Sequence, residues 1–313
     1  RAHKNLIYLV QINLAEIFNT KKRITEKRNP KSTKIDQMET NEILRLMNEE
    51  DQKVAKAVKK EIPNIEKSVD IITEKMKNGG RLFYVGAGTS GRLGILDAVE
   101  CEPTFSISPE KVVGILAGGQ EAMIKTKENN EDKEKLGSQK IAEYNITEKD
   151  TVVGIAASGK TPFVLGALKE ANKRKAFTVA LSCTKDSLLE KISEIAITPI
   201  VGPEVVTGST RMKAGTAQKM ILNMLSTTVM IKLGKVYSNL MVDLNATNEK
   251  LRVRAMDIFT LITDADSKTA DKYLKETDYK LKEAIVMYEK NVDLKEAKKL
   301  LTKNEGILRK VIK

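Results

Sequence analysis

Histidine is nearly missing from this 313-residue chain, tryptophan is absent, and cysteine occurs twice. The one histidine, His3, stands in a leader, so imidazole acid–base chemistry and His-ligated zinc are excluded from the patterned part of the chain. Cys101 and Cys183 are too few for a disulfide framework or a thiolate metal site, which suits a reducing compartment and a cytoplasmic location. No apolar run reaches the length of a membrane span. The short one at 6–14 follows Lys4 but precedes no small-residue cleavage pattern, so neither a membrane partner nor a signal peptide is expected. Lysine and arginine total 54 against 42 acidic residues, a net +12. Acidic residues accompany the lysines throughout and aromatics are few, so the excess reads as a solvated face, with no nucleic-acid partner.

What the chain does have is the stretch at 79–100, GGRLFYVGAGTSGRLGILDAVE. Phe83, Tyr84 and Val85 read as the end of a buried strand. Gly86, Gly88 and Gly91 mark a tight turn, and Thr89 and Ser90 supply hydroxyls and a helix cap at the same point. A strand, a small-residue turn and a helix N-terminus make an anion site, because bare N–H groups and the helix dipole stabilise a phosphate. The same glycines suit a turn with no ligand, and the two hydroxyls tilt the reading toward phosphate.

Strand-like apolar runs at 82–85, 112–116, 151–156, 176–182 and 195–199 alternate with helix-length segments. This pattern predicts an α/β fold, a three-layer sandwich with a mainly parallel sheet, plus N-terminal helices and a small helical C-terminal domain. The expected divisions are a leader at 1–23, a loop and helices at 24–78, the α/β domain at 79–255 and the helical domain at 256–313. The leader reads as an amphipathic helix or a disordered extension. In the N-terminal segment a helix is expected from about Asn41 with Thr40 as cap, a second over 51–60 and a third over 62–77. Right-handed crossovers place the loops at 86–92, 117–120 and 157–162 on one edge of the sheet. The last of these, AASGKTP, echoes the first. Ser158 and Gly159 make the turn, Lys160 adds a charge, and Thr161 with Pro162 reads as an N-cap followed by proline at the first helical position. The polar stretch at 202–219, GPEVVTGSTRMKAGTAQK, places Arg211 and Lys213 in a small-residue setting where they can serve an anion. An apolar, Met-rich helix follows at 220–233 and reads as core or subunit interface.

Acid–base work then falls to carboxylates. Glu100, in DAVECEPTF, is expected where its helix stops, and a partly apolar pocket there would raise its pKa. Glu131 and Asp132 lie in a charged run that reads as solvated surface. The residues alone describe a phosphosugar-sized anion site with carboxylate catalysis possible and no metal or cofactor called for.

Together, the 79–100 stretch with DAVECEPTF, the ASGKTP loop, GPEVVTGSTRMKAGTAQK, NMLSTTVMIKLGKVYSNLMVDLNATNEKL and the early TEKRNPKSTKID resemble the N-acetylmuramic acid 6-phosphate etherase family, which uses the sugar isomerase domain. The likeness runs from about Ile24 to the C-terminus. It implies cleavage of the D-lactyl ether of a phosphorylated amino sugar by proton abstraction at C2, elimination of lactate from C3 and addition of water. It places the family's two glutamates on Glu100, as the acid that helps lactate leave, and Glu131, as the base at C2. It implies phosphate contacts from Gly88, Thr89, Ser90, Ser158, Gly159, Lys160 and Thr161, and a pocket lined by Ser209, Thr210 and Lys213. It also implies a homodimer with the active site near the subunit interface. Departures from the family pattern are Glu102 for proline, Lys160 for arginine, and Ser106 and Ser238 for glycine. Lys160 keeps the charge but loses bidentate geometry. Aldose–ketose isomerisation of a sugar phosphate, and phosphosugar sensing without turnover, are the competing expectations.

Overall fold

A computed structural model describes residues 24–125 and 128–312. The leader expected over 1–23, with His3, lies outside the described residues. Five strands, β1 (Leu82–Gly86), β2 (Val112–Leu116), β3 (Thr151–Ile155), β4 (Phe177–Leu181) and β5 (Ile195–Ile197), form one parallel sheet in the order β2-β1-β3-β4-β5. They fall where the apolar runs predict them. Burial on both faces explains why those runs do not alternate with polar residues. Leu82 and Tyr84 enter one core while Phe83 and Val85 enter the other.

The first core is closed by α1 (Thr40–Lys59), α2 (Ile62–Lys77), α3 (Gly88–Phe105) and α7 (Lys213–Lys232). The second is closed by α4 (Glu134–Glu143), α5 (Pro162–Lys173) and α6 (Leu188–Ile192). Five more helices enclose a third core that includes Phe259, Leu274, Ile285 and Leu301. They are α8 (Glu249–Thr263), α9 (Ser267–Glu276), α10 (Leu281–Lys290), α11 (Leu294–Lys303) and α12 (Leu308–Ile312). Asp266 and Asp293 cap α9 and α11 as their sequence positions suggest. Among the described residues no helix is long and apolar enough to cross a membrane.

Three helices differ from expectation, and one of them, α7, begins at Lys213 rather than at 220 and so takes in the end of the polar stretch. The pair predicted to meet at Asp51 is the single helix α1, capped by Glu39 in a reciprocal arrangement with Glu42 rather than by Thr40. The polar run that reads as a break is continuous helix in which Glu50 is turned inward and buried. Helix α3 does not stop at Glu100 but carries Pro103 in its last turn and ends at Ser106, which adopts a left-handed conformation with φ 47°.

The helix pair α4 and α5 crosses with backbone against backbone. A β-carbon on Gly137 would lie 1.8 Å from the Phe163 carbonyl oxygen, and one on Gly166 would lie 1.9 Å from that of Glu134. The Ser138 hydroxyl donates to the Gly166 carbonyl at 3.0 Å across the same crossing. This contact fixes the residues just before α4 over the start of α5. Gly166→Ala is therefore expected to lower stability by about 2–4 kcal/mol in urea denaturation. Gly215→Ala, whose β-carbon would meet nothing nearer than 3.5 Å, is expected to hold stability or gain up to about 1 kcal/mol.

Candidate active site

Strand β1 lies between β2 and β3, so the chain leaves its C-terminal end toward one side of the sheet and leaves β3 toward the other. Such a switch point opens a crevice at the strand ends. Gly86 is in register with Ile155, which brings the turn after β1 beside the loop after β3. The loop after β2 joins them. The Ala117 amide donates to the Gly86 carbonyl at 3.0 Å, and the Arg92 guanidinium donates to the carbonyls of Ala122 at 2.6 Å and Met123 at 3.1 Å. The three loops that topology predicted to meet are thus together.

The local chain direction after β1 depends on close approach. A β-carbon on Gly86 would lie 2.6 Å from the Gly91 nitrogen, and one on Gly91 would lie 2.6 Å from the Gly86 carbonyl oxygen. Helix α3 therefore begins immediately, with Ala87 as an N-cap that offers no side-chain acceptor. Thr89 and Ser90 are not caps but occupy the first turn. Among the described residues no acceptor faces the amides of Gly88, Thr89 and Ser90.

The other helix starts at this edge are filled. At α5, Thr161 is the N-cap and Pro162 the first helical residue, as the sequence indicates, and the Phe163 amide donates to the Glu131 carbonyl at 2.9 Å. The echo between the two loops is therefore partial: the first offers bare amides, while the second offers the half-buried Ser158, Lys160 and Thr161. Gly159 has φ 66°, and a β-carbon there would lie 2.3 Å from the Ser187 β-carbon. The Gly159 carbonyl accepts from the Leu189 amide at 2.9 Å, which clamps this loop against the segment after β4. The bond to Phe163 also moves Glu131 from an apparently solvated charge run to the edge of the AASGKTP loop, in a half-buried position.

At α7 the amides of Lys213 and Ala214 donate to the Glu204 carboxylate at 3.0 and 2.9 Å. Thr210 sits beside the first turn of α3, since a β-carbon on Gly215 would lie 3.5 Å from the Thr89 methyl and 3.6 Å from the Thr210 carbonyl. Ser209 and Thr210 are half-buried there.

Lys213 departs from expectation. It is turned into the protein: its side chain is 2 % exposed, and its ammonium donates to Glu50 Oε2 at 2.6 Å and to the Pro203 carbonyl at 2.7 Å. A lysine in a small-residue loop reads as a ligand group only until its buried partner, 163 positions earlier, is known. Burial alone would raise the Glu50 pKa, but Lys213 and Lys53 outweigh it and bring it from 4.5 down to about 2. The Glu204 carboxyl is raised by burial, an effect that the two helix amides and Lys213 only partly counter.

Glu100 is exposed on the outer side of α3, flanked by Leu96 and Val99, which are 46 % and 62 % exposed. The described residues of the chain do not enclose it in the partly apolar pocket that the sequence reading anticipated. One turn earlier, Asp97 is buried and accepts from Asn223 Nδ2 at 2.8 Å and Ser226 Oγ at 3.1 Å, both on α7. These bonds set the roll of α3 and so the direction of Glu100. Burial raises the Asp97 pKa against these hydrogen bonds. Burial also pushes the Cys101 and Cys183 thiols up to about 12, so neither is a thiolate nucleophile near neutral pH. A cleft of about 460 Å³ runs along β2 and includes Val99, Met123 and Tyr144, but contains none of the predicted phosphate-loop residues. The polar positions Glu50, Asp97, Gln218 and Asn223 escaped the sequence reading. For Glu50, Asp97 and Gln218 the one signal is a polar residue on the apolar stripe of a helix; Asn223, which is exposed, carries none.

The early RNPKST segment also takes a place near the site. Asn29 caps a short turn and its amide donates to the Pro203 carbonyl at 3.2 Å, next to the loop that leads into α7.

Removing one partner of the Lys213–Glu50 pair leaves a buried charge, so Lys213→Met is expected to cost about 3–5 kcal/mol, whereas Glu50→Leu with Lys213→Met is expected to be near neutral. The depressed Glu50 pKa stabilises the fold fully above its unfolded value of 4.5, and this contribution is lost as pH falls toward about 2. Urea denaturation across that window should show stability falling with pH in the unmodified protein. In Lys213→Met the dependence should weaken, because only Lys53 then holds the Glu50 carboxylate charged against its burial.

Comparison with known proteins bears on this site. The family profile described as SIS domain matches residues 138–228, and one described as Glucokinase regulatory protein N-terminal SIS domain matches residues 64–172. An N-acetylmuramic acid 6-phosphate etherase of Clostridium acetobutylicum is 55% identical over 92% of this chain and 96% of its own. One of Caldanaerobacter subterraneus subsp. tengcongensis is 53% identical over 93% of this chain and 95% of its own. Among solved structures, phosphoheptose isomerase from Neisseria gonorrhoeae aligns with TM-score 0.47 and 16% identity over 60% of this chain and 97% of that one. On identities of this size across nearly the whole length, the chain belongs to the N-acetylmuramic acid 6-phosphate etherase family.

Proposed function

We propose that this chain is a carbon–oxygen lyase that converts N-acetylmuramic acid 6-phosphate to N-acetylglucosamine 6-phosphate and D-lactate in the recycling of cell-wall sugar. The observation that carries the reading at this site is the start of α3: three amides without an acceptor among the described residues lie at the switch point of the sheet, and the same helix bears Glu100. The substrate phosphate is held by the amides and hydroxyls of Gly88, Thr89 and Ser90, with Ser158, Gly159, Lys160 and Thr161 on the opposite side and Ser209 and Thr210 beside them. Lys213 contributes by fixing the start of α7.

In the open-chain sugar the Glu131 carboxylate takes the C2 proton, and the electron pair left at C2 forms the C2–C3 double bond as the C3–O bond to lactate breaks. Glu100 gives its proton to the departing lactate oxygen. It then takes one from the water that adds to C3, while C2 is reprotonated. The exposed Leu96 and Val99 beside Glu100 support a homodimer whose second subunit closes the site. A phosphorylated sugar substrate and two buried free thiols suit a cytoplasmic enzyme. The helices from α8 on, with a core that also takes in Val242 and Leu244, are read as a separate domain.

The deciding assay is release of D-lactate from N-acetylmuramic acid 6-phosphate; a folded sample that releases none would overturn the proposal. Glu100→Gln and Glu131→Gln are each expected to lower kcat by about 10²-fold or more, with KM changed only several-fold. In deuterated water Glu100→Gln should still exchange deuterium into C2 of the substrate, and Glu131→Gln should not. Exchange that survives in Glu131→Gln would show that another group is the C2 base.

A further inference from the structure

Ser90 and Gln218 meet where α3 and α7 converge. The Ser90 hydroxyl donates to Gln218 Oε1 at 2.9 Å, and Gln218 is 1 % exposed. In this arrangement Gln218 Nε2 is buried and without a hydrogen-bond partner among the described residues. Two consequences conflict with the use of this site for an anion. A buried primary amide that donates to nothing is costly, more so than an under-satisfied carbonyl. A serine whose one hydrogen is committed to Gln218 turns only lone pairs toward a phosphate, which repels them. A half-turn about the last torsion of Gln218 removes both conflicts. The two ends of the amide have nearly the same shape, so the exchange needs no repacking. Nε2 then donates to Ser90 Oγ, and the Ser90 hydrogen is released toward the bare amides of the α3 first turn.

We propose that Gln218 is a positioning residue that presents its amide nitrogen to Ser90 when phosphosugar is bound, so that Ser90 donates its hydrogen to the phosphate. The proposal rests on the reading that the α3 first turn is the phosphate site. Gln218 does not touch the ligand. It acts by deciding whether the Ser90 oxygen accepts from the protein and donates outward, or donates inward and is lost to the ligand. No side chain with acceptors alone performs this task at position 218, and an apolar one leaves the hydroxyl unoriented.

The test measures binding of N-acetylglucosamine 6-phosphate by calorimetry, together with kcat and KM, in Ser90→Ala, Gln218→Met and the double variant. Methionine keeps the volume and flexibility of glutamine; Gln218→Leu is the alternative if that variant does not fold. The expected result is roughly a tenfold weaker affinity in Ser90→Ala and about threefold to tenfold in Gln218→Met. KM should rise in step while kcat stays within about twofold. In the Ser90→Ala background Gln218→Met should have almost no further effect. If Gln218→Met leaves affinity unchanged or tightens it, Gln218 restrains the hydroxyl rather than aiming it, and the proposal is overturned. Equal losses in both backgrounds overturn it as well, because Gln218 would then act independently of Ser90. If Ser90→Ala binds the phosphosugar as well as the unmodified protein, the phosphate-site reading itself fails, an outcome distinct from the other two.

Discussion

The site depends on one steric constraint, the contact between the end of β1 and the first turn of α3. Gly86 and Gly91 touch through their backbones, with room for a β-carbon at neither. Because the one residue between strand and helix is Ala87, whose side chain has no acceptor, the first amides of α3 emerge bare at the point where the sheet changes direction. A serine or aspartate at that position would supply an acceptor for the helix end, as Glu204 does at α7. One helix end is satisfied by the protein, and the other, bare among the described residues, is where the proposed reading seats the phosphate.

Helix α7 is the element against which this arrangement is held. It is buried along most of its length, yet it carries three polar attachments at successive levels: Lys213 to Glu50 of α1, Gln218 to Ser90, and Asn223 with Ser226 to Asp97 of α3. Each links α7 to a different part of the surrounding layer, and the last two fix the axial position and roll of the helix that bears Glu100. Apolar packing alone allows helices to slide and rotate at small cost, whereas a buried hydrogen bond is lost outright by such a shift. The polar residues inside this core therefore specify geometry more than they add stability.

The sheet was legible because buried parallel strands are short apolar runs separated by helices, and each of the five fell at its expected place. Thr161 and Pro162 were legible for a similar reason, since the chemistry of a helix start is local. Misread features were those decided by a distant partner. Asp51 seemed to begin a new helix because the residues around it are polar, but Glu50 is held inside α1 by Lys213. Lys213 itself looked like an anion ligand for want of that partner. The composition around Glu131 describes a solvated surface, and its position by the AASGKTP loop comes from a backbone bond to Phe163 and a glycine crossing between α4 and α5. Family resemblance implies a role for Glu131 that local chemistry does not, while Gln218 was absent from both readings.

The most direct test of the account is a crystal structure with N-acetylglucosamine 6-phosphate bound. The account predicts the phosphate within hydrogen-bond distance of the Gly88, Thr89 and Ser90 amides, with the Ser158 and Thr161 hydroxyls facing it and the sugar C2 and C3 between Glu131 and Glu100. A phosphate seated on α7 or in the cleft along β2, with those amides solvated, would contradict it.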